Sequence, residues 1–213
     1  MPRRESAMTN SKDDQKHVRI ALKSVTCRDT EDLTGADEFY VAGGAGTGSL
    51  SGHKSKAILT KPIDINTNET KLFPVEQAVV FDDNVAVDDF VEVGLEFMDK
   101  DFEVEDFDPK YQALVLALTT AVGAAVGSLV APGVGTVAGA ILGATPGALV
   151  KVMATMDKDD LLGTVQKRFD LKDYPEGRHG PYEWSFADGK KEGSVWSTWD
   201  YSVAYVIDVG PAK

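Results

Sequence analysis

Tyr201-Ser202-Val203-Ala204-Tyr205-Val206-Ile207-Asp208-Val209 places a large apolar side chain at every second position. Val91-Glu92-Val93-Gly94-Leu95-Glu96-Phe97 does the same, with the two glutamates on the alternate positions, and Val18-Arg19-Ile20-Ala21-Leu22-Lys23 repeats the rhythm. Side chains alternate across a strand, so a period of two marks strands with one face buried. Shorter candidates lie at 37–42, 55–62, 76–81, 161–168 and 181–187. About eight strands result, separated by turns rich in Gly, Asp and Asn such as Gly43–Gly52 and Asp188–Gly193. The expected fold is all-β, an eight-stranded antiparallel sandwich of two packed sheets.

The 213 residues carry 34 acidic and 22 basic side chains, a formal charge of −12. A chain so acidic is not expected to bind nucleic acid, where affinity comes from neutralising phosphates with Lys and Arg. Cys27 is the sole cysteine, which excludes an intrachain disulfide and a Cys-based zinc site. Residues 1–16 have two arginines but no apolar run behind them. They read as a flexible leader without a secretory signal, and the expectation is a protein made soluble in the cytoplasm that acts at a membrane.

The charge is very unevenly distributed. Asp82 to Asp108 contains twelve acids and one base, Lys100, and is followed by forty uncharged residues, Tyr111 to Val150. That block divides at Ala131-Pro132-Gly133 into two apolar segments of roughly twenty residues. As helices each would span about 30 Å, the thickness of a bilayer's hydrocarbon. Small residues recur every fourth position: Thr119, Gly123, Gly127 and Ala131, then Gly135, Gly139, Gly143 and Gly147. Such positions share a helix face and form a ridge where a second backbone can approach closely. Lys110 and Lys151 bracket the block and are placed to snorkel to a headgroup layer. The expected organisation is a sandwich from 17–110 plus 151–213, with 111–150 inserted as an α-helical hydrophobic hairpin that enters a membrane and self-associates. Burial in a soluble fold, and self-association without a membrane, are the competing readings.

Several short matches fail on their own chemistry. Gly46-Thr47-Gly48 lacks the Gly-Lys-Ser/Thr that a phosphate loop needs. Asp64-Ile65-Asn66-Thr67-Asn68 begins like an EF-hand loop, but Glu69 stands where the turn glycine belongs. His17, His53 and His179 have no nucleophile pattern beside them. No enzymatic activity is expected.

The aspartates at strand ends carry a resemblance. Glu31 and Asp32 lie in a turn, Asp37-Glu38-Phe39-Tyr40-Val41 opens the next strand, and Asp99-Lys100-Asp101 closes the 91–98 strand. Asp160-Leu161-Leu162-Gly163 follows the uncharged block. The order resembles that of C2 domains, the calcium-dependent lipid-binding sandwiches, with the hairpin inserted in the third calcium loop. The resemblance implies a Ca2+ site at Asp32, Asp37, Asp99, Asp101 and Asp160, with Glu31 and Asp157 as further contributors. It also implies an anionic lipid membrane as partner, while the Ala/Gly hairpin resembles the glycine-zipper segments of membrane proteins, and its ridges point to a homo-oligomer once inserted through Gly123, Gly127, Pro132, Gly135, Gly139, Gly143 and Gly147. From the residues alone, converging carboxylates repel one another and call for a cation, and calcium takes six to eight oxygens. A solvated acidic face without metal is the alternative. The function expected is calcium-regulated membrane insertion, pore-forming or membrane-perturbing, as in a toxin or effector. The alternative is a membrane-anchored, non-catalytic adaptor that binds a protein partner.

Overall fold

The computed structural model describes residues 14–30, 36–48, 54–100, 160–192 and 195–213. The described residues form ten strands: β1 (Gln15–Asp29), β2 (Asp37–Thr47), β3 (Ser55–Leu59), β4 (Ile63–Ile65), β5 (Glu69–Leu72), β6 (Val79–Ala86), β7 (Phe90–Asp99), β8 (Asp160–Asp170), β9 (Gly177–Glu192) and β10 (Val195–Pro211). All pairings are antiparallel. One sheet runs β5-β1-β10-β9, with β6 beside the first half of β1, and the other runs β3-β2-β7-β8, with β4 beside the start of β2. The all-β, two-sheet expectation stands. The helical hairpin expected at 111–150 lies outside the described residues.

The alternating runs supply the core. Val18, Ile20, Val25 and Cys27 of β1 and Tyr201, Val203, Tyr205 and Ile207 of β10 face Phe39, Val41 and Ala45 of β2 and Val93, Leu95 and Phe97 of β7. Phe39 stacks on Tyr201 with ring centroids 5.4 Å apart, and Phe97 on Phe186 at 4.6 Å. Gly163 of β8 makes room for the second stack, because a Cβ there would lie 2.7 Å from the Phe186 ring.

Four expectations are corrected. The strand count is ten among the described residues, because β4 and β5 are too short to show a period in sequence. The first strand begins at Gln15, inside the expected leader, because Gln15 and Lys16 pair with Ala86 and Val85. Gly43–Thr47 is the second half of a central strand, paired to β3 and β7 on its two sides. Gly189–Glu192 continues β9 along β10. Asp82 and Asp83 stand in β6: Asp82 lies 2.7 Å from His17 Nε2, and Lys54 Nζ donates to Asp83.

The central β2–β7 pair is buried on both faces. Away from the core, Tyr40 and Ala42 on β2 and Glu92, Glu96 and Met98 on β7 are each below 8% exposed. Register sets Tyr40 opposite Met98, Ala42 opposite Glu96 and Gly44 opposite Gly94. The Glu96 carboxyl is pushed above its ordinary range by burial. A group whose folded pKa is raised contributes stability at low pH and loses it as pH climbs through the folded value. Glu96→Gln cannot ionise, so its denaturation midpoint should pull ahead of the wild type by a few degrees between about pH 4 and neutrality. Melting curves at several pH values read this directly; a gap that stays constant with pH would remove Glu96 as the cause.

Candidate functional site

One end of the sandwich collects the acidic strand ends. β1 leaves there at Asp29 and β2 enters at Asp37; β7 leaves at Asp99 and β8 enters at Asp160. Asp99 pairs with Asp160 across the β7–β8 ladder, and Asp29 with Asp200 across β1–β10. Of the expected calcium ligands, the side chains of Asp37 and Asp99 are described, and both are buried. Asp160 is placed by its backbone. Asp32 and Asp101, with Glu31 and Asp157, lie outside the described residues, as do Gly123, Gly127, Pro132, Gly135, Gly139, Gly143 and Gly147.

Asp37 shares the inner face of β2 with Phe39 and Val41, and it meets the opposite sheet there. The Tyr201 hydroxyl donates to its Oδ2. Burial first, and then this bond to a carboxylate, hold the Tyr201 phenol far above its ordinary pKa. Its proton therefore stays in place as the donor. Cys27 lies beside the pair, and burial is the main reason its thiol is pushed up to about 11. It is protonated at neutral pH and is no nucleophile.

Asp99 works between neighbouring strands. Its Oδ1 accepts the main-chain N–H of Glu38 at 2.8 Å and that of Lys100 at 2.9 Å. This ties the start of β2 to the end of β7. Nearby, Asp29 Oδ2 accepts the Thr198 hydroxyl at 2.6 Å, and Arg28 bridges Asp200 at 3.1 Å and Glu183 at 3.5 Å. Thr30 and Thr67 hydroxyls meet at 3.1 Å, fastening the departing β1 to the β4–β5 turn. Sequence reasoning missed Tyr201 as the partner of Asp37, and Asp29 and Asp200 as further acids of this end. A strand tyrosine 164 residues from its carboxylate gives no local signal.

In donor chemistry this end fits a hard cation, since carboxylate oxygens are what calcium takes. Asp37 Oδ2 and Asp99 Oδ1 are both already engaged with protein donors. No group of three or more His, Cys, Asp or Glu side chains able to hold a metal occurs among the described residues.

The β7–β8 register has a second consequence. Met98 pairs with Leu161 and Asp99 with Asp160, so the residues that flank 101–159 in the chain stand at two adjacent strand ends. The uncharged block lies inside that stretch. Residues 117–160 match the glycine zipper family model. The match takes in both segments' glycine series and about a fifth of the chain. No curated protein matches the chain. Among solved structures, it is similar to human GIVD cytosolic phospholipase A2 in complex with methyl gamma-linolenyl fluorophosphonate, at 10% identity and a TM-score of 0.38 over 92% of this chain. The same enzyme with that inhibitor and terbium chloride gives 10% identity and a TM-score of 0.37 over 93%. The chain spans 17% of the length of that enzyme. Among the described residues, no helix is long and apolar enough to cross a membrane.

Proposed function

We propose that this chain is a calcium-regulated membrane-inserting protein: a C2-like β-sandwich whose acidic end binds anionic lipid through Ca2+, and whose inserted Tyr111–Val150 block enters the bilayer and self-associates. The observation that carries the reading is the Asp99–Asp160 pairing. It puts a forty-residue uncharged stretch with a glycine-zipper match between the ends of two neighbouring strands, where it can be an insertion into the sandwich. Asp37 and Asp99, with Asp32, Asp101 and Asp160, would hold the cation. Its charge would bridge the acidic end to lipid phosphate, which the −11 of the Asp82–Asp108 stretch would otherwise repel.

Dye-loaded vesicles of phosphatidylserine and phosphatidylcholine test this. The wild type should release dye with calcium and not with EDTA. The Asp99→Asn, Asp101→Asn double variant should release less than a tenth as much. Calcium should also raise the melting midpoint of the wild type and leave that of the double variant unchanged, since a ligand stabilises only the state that binds it. The Gly135→Leu, Gly139→Leu, Gly143→Leu variant should still bind vesicles but release little dye, because bulky side chains block close approach of backbones. Equal release by wild type in calcium and EDTA would remove the regulation, and full release by the leucine variant would remove the glycine ridge as an assembly surface.

A further inference from the structure

The buried outer face of β2–β7 requires a cover. All ten described strands are accounted for in the two sheets, so none of them lies over it. The burial is confined to a strip. On the flanking strands, Thr164, Gln166 and Arg168 of β8 and Ser55 of β3 are exposed on the same side, and Ala57 and Leu59 are half-buried. Two strands are about 10 Å wide, and the six residue steps from Tyr40 to Gly46 are roughly 20 Å long. A helix is 10–12 Å across, and about 14 of its residues cover 20 Å. The strip is thus one helix wide and shorter than either half of the uncharged block. Its middle consists of Ala42, Gly44 and Gly94, a floor bearing no side chain larger than a methyl, which lets a backbone approach closely.

We propose that this strip is the berth of the Tyr111–Val150 block in water, one of its glycine ridges packing against the glycine floor of the sandwich that carries it. The path of the chain favours this occupant over a second molecule. The insertion departs at Asp99 and returns at Asp160, at the end of the strip marked by Met98, so docking needs no long tether. An uncharged stretch of this length also has the most to gain from leaving water. The inference goes beyond the membrane reading and holds whether or not the block ever enters a bilayer.

Cysteine chemistry on the full-length chain tests it, with buried Cys27 left in place. Ala42→Cys should react with a water-soluble maleimide at least tenfold more slowly than Ser185→Cys, which sits on an exposed position of β9. Combined singly with Gly127→Cys or Gly139→Cys, it should form an intrachain disulfide on mild oxidation at low protein concentration, and Ser185→Cys should not. If Ala42→Cys does not fold, Leu59→Cys, its ladder partner at the margin of the strip, takes its place. Fast labelling of the strip, disulfides formed only between chains, or protection without any disulfide to the block would each overturn the assignment. Vesicles with calcium separate this from the membrane reading. Accelerated labelling of Ala42→Cys supports both; a disulfide in water with unchanged labelling on vesicles keeps the berth and sinks the insertion.

Discussion

Replacing Asp37 by Ala should lower the stability of the sandwich by about 3 kcal/mol, which for a chain of this length is a melting midpoint lower by roughly 10 °C. The carboxylate is fully buried and accepts the Tyr201 hydroxyl from the facing sheet. Alanine removes the bond and leaves that buried hydroxyl, beside Phe39 and Cys27, without its carboxylate acceptor. Asp37→Asn keeps an acceptor oxygen and should cost far less. Tyr201→Phe should cost as much as alanine, because it strips a donor from a buried charge. Since both variants destroy one interaction, their double variant should lose clearly less than the sum. Additive losses would mean that the pair is a bystander. The same series examines calcium: Tyr201→Phe retains every carboxylate and should still be stabilised by the ion, whereas Asp37→Ala should respond weakly.

The strands that turned out as expected write a period of two into the sequence because large apolar side chains alternate there with polar or small ones, even in β7, where both faces are buried. β1, β7 and β10 were legible for this reason. Gly43–Thr47 was not. Both faces of that half of β2 are covered, so no polar residue marks the alternate positions, and Gly-Gly-Ala-Gly resembles a turn to any reading of composition. β9 failed in the opposite sense. Its last residues are polar, and what keeps Gly189–Glu192 extended is the ladder to β10, a partner that local propensity cannot see. The candidate site divides along the same line. That Asp37 and Asp99 sit at strand ends could be read from the chain. That each already holds a protein donor, Tyr201 for one and the Glu38 N–H for the other, depends on contacts 164 and 61 residues apart. The burial of Glu96 was equally hidden, since a glutamate in an alternating strand reads as the solvent face.

Gly43 gives the second large effect, and three glycines separate its causes. It sits at φ +151°, which L side chains rarely adopt, and a Cβ there would fall 2.2 Å from the carbonyl oxygen of Gly94 and 2.9 Å from Leu95 Cα. Both obstacles are backbone atoms of the neighbouring central strand, so no side chain can swing aside. Relief would require β2 and β7 to separate where Gly43 pairs with Leu95, at the middle of the sheet. Gly177 has a positive φ of +135° with nothing within 4 Å of a Cβ, and Gly210 has neither obstacle. Alanine at Gly210 should change little, and alanine at Gly177 should cost about 1–2 kcal/mol for the backbone conformation alone. Gly43→Ala adds an overpacked backbone contact and should cost about 4 kcal/mol or more, a large part of the 5–15 kcal/mol that holds a typical domain. Denaturant midpoints of the three variants, measured side by side, should fall in the order Gly210, Gly177, Gly43. If Gly43→Ala is no worse than Gly177→Ala, the close approach of β2 to β7 is softer than the geometry states.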